Sequence, residues 1–308
     1  MGAGLALPWL GSGCAPQRPL QLAGHPWPGY EPMFLARSLS YLPANIELYE
    51  SATVQESIEA VGRGRVDGAM LTLDEALRLR DQGLPLEIVL VFNVSRGADM
   101  LLTRPSLTHL LDLRGKRLGV EDTVLGSLML TLVLEKAGLR HEDVTVRRIA
   151  YESHEKAWRR GDIDALITYE PAGGRLAALG ARRLLSTRQL PDTIFDVLVM
   201  HREAARLHAG TLRACLAGYF RALAYLRQNP WDAAYRVAPR LQLSAQGMID
   251  TLRGLELPDV VGNRRYLADD GTLLQSALRL SPILQQAGLL QRPVDPQQLV
   301  TGAYLPAA

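Results

Sequence analysis

From Leu20 to Met200 the apolar positions switch repeatedly between a continuous or alternating run and a helical period. Leu20-Gln21-Leu22-Ala23-Gly24 reads as a first strand and runs into Pro26-Trp27-Pro28-Gly29-Tyr30, a turn whose prolines and glycine forbid regular structure. A helix is predicted from about Glu31 to Tyr41, with Phe34, Leu35, Leu39 and Leu42 on its apolar face and Pro32 in the first turn. Asn45 to Tyr49 alternates as a half-buried strand, and Thr53 with Glu56 three residues on signals a capped helix. Val66 to Leu71 is a buried strand, Thr72 to Arg80 a helix, and Leu86 to Phe92 another buried strand. Strands and helices in strict alternation imply an α/β sheet with parallel pairing.

A second cycle follows. Met100 to Thr103 continues as strand, Leu113 to Val120 opens the next unit, and Val124 to Ala137 is a helix stopped by Gly138. Val144 to Ala150 and Ala165 to Thr168 supply further strands around a helix from Glu152 to Arg160. Asp196 to Met200 is an apolar strand returning to the first unit, and from Glu203 onward the period is helical, punctuated by Asn229-Pro230, Ser244, Pro258 and Pro282. The expected architecture is two lobes, residues 20–102 with 197–308 and residues 103–196. Crossings are expected near Thr103 and Asp196, with the helical tail packed outside the first lobe.

Composition narrows the function. With 34 basic and 32 acidic side chains the formal charge is +2, and no basic block is long enough to track a phosphate backbone, so nucleic acid is not an expected partner. Of the two cysteines, Cys215 sits in an apolar helical pattern as a small hydrophobe. Cys14 follows the apolar run Leu5-Ala6-Leu7-Pro8-Trp9-Leu10 and the small residues Gly11-Ser12-Gly13, as in a lipoprotein export signal. Residues 1–19 are therefore read as leader and tether, with Cys14 as the lipidated residue, although Leu10 stands one place further from it than usual. No later segment approaches the roughly 20 apolar residues that span a bilayer. The chain carries no phosphate-cradling glycine loop, no dinucleotide fingerprint and no metal-type histidine pair among its six histidines, so no catalytic residue, metal or cofactor is expected.

Several segments carry a resemblance when taken in order: Trp27 to Pro32, Val66-Asp67-Gly68-Ala69, Ser95-Arg96-Gly97-Ala98-Asp99, Asp112 to Val120, Gly161 to Ala165 running into Tyr169-Glu170-Pro171, and Asn229-Pro230. Together they resemble the nitrate/sulfonate/taurine class of ABC-transporter solute-binding proteins, which includes binders of thiamine's pyrimidine precursor. The resemblance covers most of residues 20–305. It implies a type II periplasmic binding fold, a monomer outside the cytoplasm with a small molecule between its lobes, an ABC permease as partner, and membrane contact only through the lipid anchor. The class's ligand-contacting segments fall here on Trp27, Tyr30 and Glu31, on Thr72 and Asp74, on Asn93, Ser95 and Asp99, on Gly126 and Ser127, and on Tyr169 and Glu170.

The residue types bear on the ligand. Trp27 and Tyr30 on a rigid turn present flat faces at little entropic cost, and Thr72 and Ser127 stand at helix N-termini that favour an anionic oxygen or simply cap the helix. Yet Glu31, Asp74, Asp99 and Glu170 stand at the same strand ends, with Arg96 the only cation there. That points to a solute bearing an amine or a protonatable ring nitrogen. Two other readings are an enzyme of the same fold, such as a pyrimidine-precursor synthase or a deaminase-like transferase, and a sensor whose closed form docks on a signalling receptor.

Overall fold

The computed structural model describes residues 18–307; the expected leader and Cys14 lie outside the described residues. The strict alternation read from the pattern is present. In the first unit β1 (Leu20–Gly24), α1 (Glu31–Ser38), β2 (Ile46–Glu50), α2 (Val54–Gly62), β3 (Gly68–Thr72), α3 (Leu73–Asp81) and β4 (Leu86–Ser95) follow in turn. The second unit contains β5 (Asp99–Thr103), β6 (Arg117–Val120), α4 (Val124–Ala137), β7 (Thr145–Arg148), α5 (His154–Arg160), β8 (Ala165–Tyr169), α6 (Ala172–Ala178) and β9 (Arg182–Ser186). Then come β10 (Phe195–His201), α7 (Arg202–Leu207), α8 (Ala209–Gln228), α9 (Pro230–Val237), α10 (Ala245–Leu252), β11 (Leu255–Glu256), α11 (Val260–Tyr266) and α12 (Thr272–Gln286). Among the described residues no helix is long and apolar enough to cross a membrane.

Two sheets result, ordered β11-β4-β10-β3-β1-β2 and β7-β6-β8-β5-β9. The pairs β1·β2, β1·β3, β6·β7 and β6·β8 are parallel, as expected. Each sheet also holds an antiparallel member: β10 lies between β3 and β4, and β5 between β8 and β9. The reason is topological. A strand that enters its sheet from the edge facing the other unit must run opposite to those that arrive at that edge.

The first crossing falls earlier than the sequence suggests. The chain leaves β4 at Ser95 and enters β5 at Asp99, so residues 99–102, expected in the first lobe, belong to the second sheet. Gly97 makes the break at φ 121°, a conformation that side chains with a Cβ rarely adopt. The return runs from Ser186 to Phe195. The two crossings are bonded to each other: Thr187 Oγ1 shares a hydrogen bond with Ser95 Oγ at 2.7 Å and accepts one from the Gly97 amide at 2.7 Å.

The buried strands carry the core. Every residue of β3, β4 and β5 is buried, whereas β2 and β7, at the sheet edges, are largely open. The helical tail packs on the first unit as expected, α8 and α9 against α1 and α11 against β4, while α12 lies along α3 and also reaches α4 of the second unit. Cys215 is fully buried on α8, and burial pushes its thiol up to about 12.

Candidate ligand-binding cleft

Parallel strands deliver their carboxyl ends to one edge, and the antiparallel crossing strands begin at that same edge. The register makes this concrete. Asp196, near the start of β10, is aligned with Thr72 at the end of β3 and with Asn93 near the end of β4; Asp99, at the start of β5, is aligned with Tyr169 at the end of β8. The two edges face each other across a cavity enclosing about 480 Å³ of empty space, counting what opens to solvent. The first unit contributes His25, Trp27, Thr72, Glu75 and Asp196, and the second contributes Asp99, Glu121, Thr123, Leu125 and Tyr169.

Aromatic rings close the cavity from both sides. The rings of Trp27 and Tyr169 meet edge to face across the lobes, centroids 5.5 Å apart, and Tyr169 is stacked on Tyr151 at 4.5 Å and 7°. Edge-to-face and offset rings gain quadrupolar attraction beyond their buried area. The Tyr169 hydroxyl donates to Glu121 Oε2 at 3.2 Å, which fixes that carboxyl at the wall.

The electrostatics are one-sided. Glu75, Asp99, Glu121 and Asp196 line the cavity with no Lys or Arg among the lining residues. His25 adds no positive charge near neutral pH, because burial lowers its pKa to about 4. Burial, with Asp74 and Glu170 nearby, raises Asp99 to about 7. The neighbours Asp74 and Glu75 are likewise raised, chiefly by burial, and Asp196 is held well above the ordinary carboxyl range by burial and by the surrounding acids, even though it accepts from Tyr30 at 2.7 Å. Several polar atoms are buried without a partner: Trp27 Nε1, Asp99 Oδ2, Asp196 Oδ2 and His25 Nδ1. Buried polar groups are ordinarily satisfied, so this concentration at one cavity marks a place built to meet something else.

The residues expected at the ligand divide into groups. Trp27, Thr72, Asp99 and Tyr169 line the cavity. Tyr30, Asp74 and Asn93 are buried just behind it, 0%, 1% and 0% exposed, and Asn93 packs so close under Gly29 that a Cβ there would lie 1.9 Å from its Nδ2. Ser95 is a crossing residue, its hydroxyl taken up by Thr187 and by the Asp99 amide at 3.2 Å. The remaining four lie outside the lining. Glu31 faces Arg240 at 3.2 Å, where burial pushes it up to about 7 and the guanidinium offsets that only in part. Glu170 accepts from the Gly174 amide at 2.9 Å. Ser127 accepts from Arg148 at 3.2 Å on the outer side of α4. Gly126 gives α4 room at its start, because a Cβ there would lie 2.3 Å from the Glu121 carbonyl oxygen. Arg96, the one cation expected near the ligand, is engaged instead by Asp192 at 2.8 Å and Glu256 at 3.0 Å.

Glu75, Glu121 and Asp196 were not anticipated at the site. The signal for Glu121 was present: it directly follows β6, at the carboxyl end of a strand that pairs in parallel. The sequence places Asp196 at the start of the returning strand, and its register opposite Thr72 sets that start at the cleft edge.

Fold and cleft together define a protein with the two-lobed periplasmic binding fold. The structure superposes with a TM-score of 0.79 on the periplasmic aliphatic sulphonate-binding protein SsuA of Escherichia coli, covering 92% of each chain at 18% identity. Residues 28–233, more than half of the chain, match the family described as NMT1/THI5 like, and the chain belongs to that family. Among sequence relatives, the taurine-binding periplasmic protein of Escherichia coli (strain K12) is 24% identical over 160 residues, 51% of this chain and 50% of that one. The chain spans 41 to 50% of the length of the curated relatives it matches. The desulfurization enzyme DSZB shares the fold at a TM-score of 0.69 and 18% identity, over 92% of this chain and 97% of that one.

Proposed function

We propose that this chain is the extracytoplasmic solute-binding component of an ABC importer, capturing one small molecule between its lobes and presenting the closed form to a membrane permease. The observation that carries the reading is the cavity wall, half of it from each unit, with Trp27 meeting Tyr169 across the opening. A site split between two bodies binds most tightly when they are together, so ligand and closure are thermodynamically linked. That linkage is what a permease needs to tell a loaded carrier from an empty one.

A binding role is favoured over the chemistry an enzyme of this fold would perform. Among the described residues no thiol lines the cavity, and the Cys215 thiol is buried on α8. His25 makes its ring contact with Tyr30 at 5.2 Å and has no carboxylate bonded to it that would make a base. In this reading the leader exports the chain and Cys14 carries the lipid that holds a monomer at the membrane.

Native mass spectrometry of the chain purified from the envelope of its own host tests this. One unmodified small solute per chain is expected, absent from a Trp27→Ala variant, and the mass of the mature polypeptide reports the lipid on Cys14. A chain that leaves its host empty and takes up nothing, or that converts the molecule it holds, overturns the reading.

A further inference from the structure

We infer that the captured solute is a small organic cation, its positive group held by Asp99 and Asp196 with Asp74 and Glu75 behind them and its body against Trp27 and Tyr169. The inference rests on the binding reading above and adds the charge class of the ligand.

The geometry comes first. Asp99 stands on the second unit and Asp196 on the first, each 3% exposed, each with a carboxylate oxygen that nothing satisfies, and both at the cavity wall. A cation between them would meet one carboxylate from each lobe, so its charge would be shared across the seam that must close. The rings of Trp27 and Tyr169 offer π-faces or edges beside it, which suit a cation and its attached carbons. The carboxyls do not converge as metal ligands do. Among the described residues no group of three or more His, Cys, Asp or Glu is placed to hold a metal ion. An extended organic cation fits that spread better than a point charge.

The surroundings offer an anion the unpartnered donors Trp27 Nε1 and Thr72 Oγ1 but no countercharge. Facing Asp99 and Asp196 are Asp74 and Glu75 from α3, Glu121 after β6, Tyr169 and Glu170 at the end of β8, and His25 and Tyr30 after β1. None of these is a cation near neutral pH; Arg96 and Arg240 are directed to other carboxylates, and Arg183 reaches Glu170 at 4.0 Å without lining the cavity. A sulfonate there would meet those two donors amid several acids and no cation, leaving its charge uncompensated. This separates the chain from the relatives whose names record a sulphonate ligand.

The empty cleft solves its own repulsion by keeping protons. Asp99 is raised to about 7, and Asp74, Glu75 and Asp196 are raised with it, all chiefly by burial. A cation replaces those protons, so binding releases them, and affinity rises with pH by up to about tenfold per unit for each carboxyl that must ionise.

The test uses the full chain stripped of solute and titrated by calorimetry with benzylamine, putrescine, benzenesulfonate and taurine at pH 6 and pH 8, each in two buffers of different ionisation heat. The amines are expected to bind more tightly at pH 8 than at pH 6, with proton release, and Asp99→Asn and Asp196→Asn to lower their affinity tenfold or more at pH 8. Benzenesulfonate is expected not to bind. Mass analysis of the molecule carried by the chain from its host decides between failures. A solute without a basic nitrogen, or tight benzenesulfonate binding with silent amines, overturns the cation and leaves solute capture standing. An empty chain that binds none of the four probes overturns both.

Discussion

At the residue scale the unliganded cleft is a store of unfavourable energy. Asp99 keeps a proton up to about pH 7 in the folded chain, against 3.8 for an unhindered carboxyl. Between those values the folded state binds a proton that the unfolded state has released, so stability falls as pH rises through that window. Replacing the carboxyl by an amide of the same shape removes a burden that grows from about pH 3.8, where the unfolded acid ionises, to about pH 7. Asp99→Asn is therefore expected to raise the melting temperature of the solute-free chain at pH 8, by a stabilisation of about 1 to 3 kcal/mol, and to raise it by a clearly smaller amount at pH 5, where only the first part of the window has been crossed. Thermal unfolding at the two pH values checks this, and equal shifts at both would show that Asp99 bears no charge penalty. Asp164 behaves in the opposite sense. Its bonds to Arg117 at 2.7 and 3.0 Å hold it at about 2, so its contribution is present above the ordinary value and fades only as pH falls through about 2.

Elements set where those residues stand. The turn from β6 into α4 must bring Glu121 to the cavity and then start a helix at once, with Thr123 accepting from the Gly126 amide at 3.0 Å as the cap. Only a glycine fits at 126, because the Glu121 carbonyl occupies the space of a side chain. Gly126→Ala is expected to displace the Glu121 turn, costing about 1 to 3 kcal/mol of stability and weakening solute binding; denaturant unfolding and calorimetry read the two effects, and a neutral substitution would show the turn to be pliant. At this scale the sequence was informative wherever a periodic run met a sharp stop. The helix from Val124 to Ala137 has the predicted bounds, with Gly138 at φ 64°. By contrast β9 and α6 escaped notice. Arg182 and Arg183 are exposed on an edge strand that buries only one end, and Gly173-Gly174 lowers the helical signal of a seven-residue element. The cleft residues were half legible for a related reason. The resemblance places the class's contact segments on Trp27, Thr72, Asp99 and Tyr169, all of which line the cavity; which side of a strand end a carboxylate faces depends on pairing between distant strands, and so Glu31 and Glu170 point elsewhere while Asp196, read only as the start of the returning strand, stands at the wall.

For the molecule as a whole, the decisive feature is where the chain passes between its halves. Arg96 to Ala98 and Thr187 to Ile194 run side by side, joined through Thr187 to Ser95 and to the Gly97 amide, and Arg96 binds Asp192 on the returning segment. Removing the Thr187 hydroxyl would leave that buried amide unpaired, at a cost of about 1 to 3 kcal/mol. Thr187→Val is accordingly expected to favour a more open solute-free chain, seen as a larger radius of gyration in solution scattering, with the compact value restored by saturating solute. An unchanged radius would mean that the shared hydroxyl does not govern how the halves sit.

Two straps pinned side by side act as a single pivot. In the proposed cycle such a pivot leaves the jaws one easy direction of swing and resists sliding or twisting. In that cycle the bulk of a guest held against Trp27 and Tyr169 is thereby translated into an angle, and one a methylene too long would leave the cavity wall, Val54 and Leu125 included, short of closing.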